Sequence, residues 1–245
     1  MSLQYYIGTS GWHYDHWQNL FYPPTLPRKQ WLQYYAQAFN SVEINSSYYR
    51  MPLESTFANW NSSVPDDFCF SVKASRFITH IKRLKDSREA VETFVSRAKS
   101  LGAKLGPLLF QLPPGLHRND SLLESFLILL NNQDISSSSV FEFRHPSWMA
   151  DSVFQILQTY HAGFCIFDMP EYTSPFVITS DFMYLRFHGK NDLYSGCYPE
   201  NELKTWADKI ARIPSTLKSI YIYFNNDAGG YAVQNALTLK NYLQV

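Results

Sequence analysis

At 245 residues the chain is long enough to bury one large core, and it matches the ~250 residues of an eight-stranded α/β barrel. Hydrophobic residues make up 45% and charged residues 17%, which excludes an intrinsically disordered chain. Lys+Arg and Asp+Glu balance at 21 each, which excludes a global basic field for indiscriminate nucleic-acid or membrane binding, so any anion site must be local.

Met1 to Trp12 shows no basic region followed by an apolar stretch, and the longest apolar patches, such as Phe126 to Leu130, fall far short of the ~20 residues that span a bilayer. Three cysteines (Cys69, Cys165, Cys197) are odd in number and not closely paired, which suits a reducing compartment. A soluble, cytoplasmic protein without a membrane partner is expected. The 17% aromatic content reads mostly as core, with tyrosine hydroxyls at wet edges.

In chain order, a strand at Tyr6 to Ser10 precedes a helix with Pro27 at its first position and Trp31, Leu32, Tyr35 and Phe39 at helical spacing. Strands at Ser41 to Asn45 and Phe68 to Lys73 come next. Asp86 and Glu89 form a capping box for a helix striped by Val91, Phe94, Val95 and Ala98 and stopped by Gly102. After a strand at Pro107 to Leu112, Ser121 and Glu124 repeat the box ahead of Phe126, Leu127 and Leu130. Strands at Val140 to Arg144 and Phe164 to Asp168 follow. Between Asp168 and Met183 there is no room for a full helix, and Pro170 and Pro175 oppose one, so the sixth crossover is a loop. A strand at Met183 to His188, a helix opened by Pro199 with Leu203, Trp206 and Ile210, a strand at Ser219 to Asn225 and a helix along Val233, Ala236, Leu237 and Lys240 complete the chain. Eight strands alternating with helices predict a single TIM-type (β/α)8 barrel, one domain over residues 1–245 without a linker or repeat.

Side chains alternate along a strand, so when the apolar face packs on helices the other faces the barrel axis. This rule sends Glu43, Asn45, Cys69, Ser71, Lys73, Leu109, Gln111, Val140, Glu142, Arg144, Tyr184, Arg186, His188, Tyr221, Tyr223 and Asn225 inward, with Ser10 in the corresponding place on the first strand. The sixth strand is ambiguous, since Phe164, Ile166 and Asp168 share a face but both faces are apolar before Asp168. Barrel chemistry sits at the carboxyl ends of the strands, where three carboxyls (Glu43, Glu142, Asp168) meet three cations (Lys73, Arg144, Arg186). A salt-bridge lattice could fill this space for stability alone, but apolar packing would stabilise as well or better.

The strings GTSGW (8–12), VEINSSYYR (42–50), ITHIKRL (78–84), LGPLLFQLPP (105–114), FEFRHPSW (141–148), YLRFHG (184–189) and YFNNDAGGYA (223–232) together resemble the domain of unknown function 72, or YecE-like, family over essentially the whole chain. Where one family form reads SFYR or STFYR, this chain has SSYYR. The resemblance implies a TIM-barrel fold and bacterial-type cytosolic proteins, and it supplies no reaction.

The residues themselves suggest three chemistries. In the first, an enzyme of hydrolase or lyase type acts on an anionic, phosphorylated or nucleic-acid-derived substrate, with Glu43, Lys73, Glu142, Asp168 and His188 as catalytic candidates. Ser10, Trp12, Asn45, Tyr48, Arg50, His80, Gln111, Arg144, Arg186, Asn225 and Asn226 are then the binding candidates. Asn225 to Gly230, just before the last helix, with Arg50, Arg186 and Lys190 nearby, could take a phosphate. His80, Lys82 and Arg83 add a basic patch that may equally be a solvated face. In the second, Glu43, Glu142, Asp168, His145 and His188 hold a divalent metal, which the adjacent cations disfavour. In the third, Glu43 and Glu142 hydrolyse a glycosidic bond, with Trp12, Tyr48 and Trp148 stacking on sugar. Ser10 lacks the sequence of a nucleophile elbow. A non-catalytic alternative uses Arg50, Lys82, Arg83, Trp12 and Tyr48 to hold nucleic acid or nucleotide by phosphate contact and stacking.

Overall fold

The computed structural model describes residues 3–213 and 216–245. Among the described residues there are nine strands and eight α-helices. The strands are β1 (Gln4–Thr9), β2 (Ser41–Ile44), β3 (Cys69–Lys73), β4 (Leu105–Gln111), β5 (Ser139–Glu142), β6 (Gly163–Met169), β7 (Tyr172–Thr173), β8 (Phe182–Phe187) and β9 (Ser219–Phe224). The helices are α1 (Trp31–Ala38), α2 (Ser46–Tyr49), α3 (Glu54–Ser62), α4 (Arg88–Ala98), α5 (Asp120–Asn131), α6 (Asp151–Thr159), α7 (Glu200–Ala211) and α8 (Tyr231–Leu243). Eight parallel strands run in the order β1-β9-β8-β6-β5-β4-β3-β2, and β7 folds back antiparallel on β6. This is a TIM-type (β/α)8 barrel. Its sixth crossover, from β6 to β8, holds β7 and irregular chain instead of a helix, as Pro170 and Pro175 predict. Two hydroxyls tie that crossover down: Ser174 Oγ accepts from the Phe167 N–H (2.9 Å) and Thr179 Oγ1 from the Phe164 N–H (2.8 Å).

β1 and β2 are the two ends of the hydrogen-bonded path, and side chains close the seam between them. Tyr35, from α1, accepts from the Thr9 N–H (2.9 Å) and donates its hydroxyl to the Ser41 carbonyl (3.0 Å). Asn40 accepts from the Ile7 N–H (3.2 Å) and donates to the Tyr5 carbonyl (2.7 Å). Orphan backbone groups of two strand edges are thereby satisfied without a ladder. The strands approach so closely here that a Cβ on Gly8 would lie 2.0 Å from the Ser41 carbonyl oxygen.

Local signals located the helices better than their ends. Pro27 precedes a 3₁₀ turn at Arg28–Gln30, and α1 begins only at Trp31. The residue before α4 is Ser87, with no side-chain cap, and Asp86 lies at φ 43°, so the Asp86–Glu89 box does not form. The chain continues past α4 as a 3₁₀ segment to Lys104, with Gly102 at φ 57° inside it. At α5 the cap is Asn119, whose side chain accepts from the Leu122 N–H at 2.9 Å, rather than Ser121. Of these three starts only that of α5 gains a side-chain cap, at a residue two positions before the predicted one.

The main core lies between the barrel and its helices. A smaller apolar plug of Leu109, Val140, Cys165, Phe182, Tyr184 and Tyr223 fills the barrel axis. Beside it a hydroxyl chain runs from Ser71 Oγ to Tyr223 OH (2.8 Å), on to Ser41 Oγ (2.6 Å) and then to the Cys69 carbonyl (2.8 Å). Towards the carboxyl ends of the strands the inward residues become charged.

Candidate active site at the carboxyl ends of the strands

Arg186 on β8 is the centre of the charged layer. Its Nη2 donates to Glu43 Oε1 (2.7 Å) and its Nη1 to Glu142 Oε2 (2.6 Å), and all three side chains are fully buried. Glu43 also accepts from Ser10 Oγ (2.7 Å) and from Tyr184 OH (2.7 Å). Glu142 Oε1 accepts from Arg144 Nε, and His188 Nε2 lies 3.2 Å from the same oxygen. Arg144 in turn rests on the face of Phe167, 5.3 Å from its centroid. Buried charges persist only when paired and hydrogen-bonded, and two guanidiniums against two carboxyls meet that demand except at Arg186 Nε, which is buried without a partner.

The electrostatics follow from this packing. Burial alone would raise Glu142, but Arg144 and Arg186 overcome it and hold the carboxyl well below the usual range. Burial, joined by Arg144 and Arg186, brings His188 down to about 3 against the pull of Glu142, so the ring is neutral at physiological pH. A neutral His188 has two tautomers here. Protonated at Nε2, it donates to Glu142 and accepts at Nδ1 from Asn225 Nδ2 (3.1 Å); protonated at Nδ1, its Nε2 accepts from Arg144 Nη2 (2.9 Å).

Lys73, at the end of β3, differs from the other cations of the layer. Among the described residues no carboxyl oxygen comes within ion-pair distance of its Nζ, which sits 4.5 Å from the centroid of the Tyr48 ring. Burial, then the neighbouring Arg186, pushes it down to about 7, despite Glu142 and Glu43. His80 packs edge-on against the same Tyr48 ring (5.1 Å) and is held down to about 4 by burial and then by Lys73. Lys73, Tyr48 and His80 thus form a trio at the mouth.

A cleft of about 520 Å³ opens where the loops after β1 and β2 face α3. Trp12, Tyr14, Tyr49 and Trp60 form its aromatic walls, with Arg28 and Lys29 among the other lining residues. Tyr14 OH donates to the Ser10 carbonyl (2.6 Å), so the cleft adjoins the charged layer through Ser10. Asn45 also lines the cleft, with its buried Oδ1 lacking a hydrogen-bond partner.

Residues 6–245 match the family described as protein of unknown function DUF72. The chain belongs to the DUF72 family. The UPF0759 protein YunF of Bacillus subtilis is 26% identical across 98% of this chain and 95% of its own length. The UPF0759 protein YecE of Escherichia coli K12 is 28% identical over 59% of this chain and 50% of its own. A DUF72 family protein from Thermotoga maritima superposes with a TM-score of 0.87 at 30% identity, covering 99% of this chain and all of the other. One from Enterococcus faecalis shares the fold at 21% identity (TM-score 0.81), covering 99% of this chain and 96% of its own.

In this DUF72 barrel, Ser10, Glu43, Glu142, Arg144, Arg186, His188 and Asn225 join one hydrogen-bonded network, with Lys73, Tyr48 and His80 beside it. Gln111 pairs in register with Glu142 and is half-buried. Asp168 does not join. Cys165 belongs to the axial plug and Phe167 supports Arg144, which sends Asp168 to the opposite face, where Oδ1 accepts from Thr173 Oγ1 (2.5 Å). Asn226 is structural, donating to the Gly196 carbonyl (2.8 Å) and Asn235 Oδ1 (2.9 Å). Arg50 is exposed on the rim. At the start of α8 the Asp227 carbonyl contacts His16 Nε2 (2.7 Å) and accepts from Trp17 Nε1 (3.2 Å), and Leu20 packs on Gly230. Arg186 is committed to two glutamates, and Lys190 pairs with Glu202 (2.6 Å). His145 stacks on His117 at 3.9 Å, and no group of three or more potential metal ligands converges among the described residues. No helix among them is long and apolar enough to cross a membrane.

Tyr14, Tyr49 and Trp60 escaped the sequence reading, because nothing in their spacing shows that a loop and a short helix meet over the mouth. Tyr184 was placed inward by alternation, but its bond to Glu43 had no signature.

Proposed function

We propose that this chain is an enzyme of hydrolase or lyase type acting on an anionic, phosphorylated or nucleic-acid-derived substrate at the strand carboxyl ends. One observation carries the reading: Arg144 and Arg186 are matched by Glu142 and Glu43, whereas Lys73 has no carboxyl partner among the described residues and stands at the mouth. An amine brought down to about 7, with His80 on the same Tyr48 ring and a neutral His188 in the adjoining network, offers an anion contact and proton carriers in a largely desolvated place. The aromatic cleft, with Arg28 and Lys29 among its lining residues, suits the body of such a substrate. Glutamate-pair glycoside hydrolysis is less well supported, since that chemistry needs a protonated acid and Glu142 is held ionised.

A non-catalytic role in binding nucleic acid or nucleotide is favoured by the exposed Tyr49 and Arg50. A panel of phosphate esters, nucleotides and nucleic acids, with and without added Mn or Zn, separates the readings. Turnover lost in Lys73→Met supports the enzyme. Salt-dependent binding without turnover, weakened in Arg50→Ala, supports the binder. Turnover of neutral glycosides alone overturns both.

A further inference from the structure

The proposed enzyme leaves open what Lys73 does, and three features of its surroundings bear on that. It stands at the carboxyl end of a barrel strand, it is the cation of the layer without a carboxyl partner among the described residues, and it lies over the Tyr48 ring, which His80 meets edge-on. A lysine kept only for charge gains from a nearby carboxylate. A lysine kept as a nucleophile must hold its lone pair, which neighbouring cations and burial promote and a carboxylate opposes. Here burial, then Arg186 and Arg144, act on Lys73 in the first direction and outweigh the more distant Glu142 and Glu43, neither of which comes within ion-pair distance, so the amine is driven down to about 7.

We propose that Lys73 is a covalent catalytic residue that forms an imine with an anionic aldehyde or ketone. This rests on the anionic-substrate reading above and narrows it to carbonyl compounds bearing a phosphate or carboxylate. The Nζ lone pair attacks the carbonyl carbon, a C–N bond forms, and the C=O π pair moves onto oxygen, which takes up a proton as the nitrogen loses one. The carbinolamine then expels that oxygen as water, leaving C=N and a net loss of one H₂O. His80, neutral and within the electrostatic reach of Lys73, is placed to carry the proton between nitrogen and oxygen. Once protonated, the imine is an electron sink for breaking a bond at the adjacent carbon, which is lyase chemistry.

The test is borohydride trapping on the full-length chain at pH 7, with glycolaldehyde phosphate, pyruvate and neutral glycolaldehyde as separate probes, read by intact mass and peptide mapping. A single adduct on Lys73 with the anionic probes, at least tenfold faster than on any exposed lysine, is expected and is absent in Lys73→Arg. Adducts spread over exposed lysines with Lys73 untouched overturn the proposal. An acylating reagent gives a measurement independent of variant folding: Lys73 labelling should reach half its maximum near pH 7 and that of exposed lysines above pH 9, whereas coincident profiles overturn the nucleophile. If glycolaldehyde labels Lys73 as fast as its phosphate, imine formation stands and the anionic-substrate reading fails. If phosphate esters are turned over while no carbonyl probe is trapped, the reverse holds.

Discussion

Arg186 donates Nη1 to Glu142 Oε2 across 2.6 Å with neither side chain reached by solvent. The same guanidinium holds Glu43, so truncating it leaves two buried carboxyls without their main partner. Arg186→Met should destabilise the fold by ~3–5 kcal/mol in denaturant unfolding. Arg186→Lys should recover little, because an ammonium cannot span both carboxyls as a planar fork does. A loss below about 1 kcal/mol in Arg186→Met would show that the bridge is not what holds this layer.

His188 and His80 should make stability fall as the solution is acidified. Both have folded values below the free histidine value, about 3 and about 4. Between pH 6.5 and 4.5 the unfolded chain therefore binds protons that the folded chain refuses, and stability rises with pH across that window. His188 contributes up to about 1.4 kcal/mol per pH unit. His188→Asn should flatten the slope of unfolding free energy against pH. An unchanged slope would mean that the ring is protonated in the folded state.

Lys73 should be a stability liability. Its value is lowered from 10.5 to about 7, so below pH 7 the folded protein carries the full penalty of a charged, desolvated amine, and the penalty shrinks as pH rises towards 10.5. Lys73→Met should therefore raise stability at pH 6 by ~1–3 kcal/mol while removing activity, and the gain should fade by pH 10. Equal stability of the two proteins at pH 6 would argue against this.

The seam between β1 and β2 should be sensitive to single atoms. Tyr35→Phe leaves the buried Thr9 N–H without its acceptor, a loss of ~1–3 kcal/mol, and the Thr9 amide should then exchange with solvent faster in hydrogen-exchange NMR. Gly8→Ala forces a methyl against the Ser41 carbonyl and should cost ~1–3 kcal/mol. Protection of Thr9 unchanged in Tyr35→Phe would show that a backbone ladder closes the seam after all.

Much of this was legible in the sequence because alternation is a strict geometric rule. It placed Glu43, Lys73, Glu142, Arg144, Arg186, His188 and Asn225 on inward faces wherever the opposite face was plainly apolar. It was undecided at β6, where Phe164, Cys165, Ile166 and Phe167 are all buried, so hydropathy carried no parity, and Asp168, a catalytic candidate, bonds Thr173 instead of joining the network. The Tyr35 and Asn40 bridges were invisible for another reason. Whether two strands exchange a ladder depends on how the whole sheet curls, and no window of residues records that. The aromatic cleft likewise arises where separate loops meet.

Mechanically, a sheet rolled up and closed along one line by two side chains is a slit tube, and a slit tube twists and dilates more readily than a seamless one. Here the slit runs up to the aromatic cleft, between the loops that follow β1 and β2. Parting it costs the bonds made by Tyr35 and Asn40, each ~0.5–1.5 kcal/mol net, and also the Ser10–Glu43 bond, which crosses the same line where it meets the charged layer. Any widening of the mouth on the cleft side is therefore felt by Glu43, so a bulky ligand that pries these loops apart also loosens the charged layer.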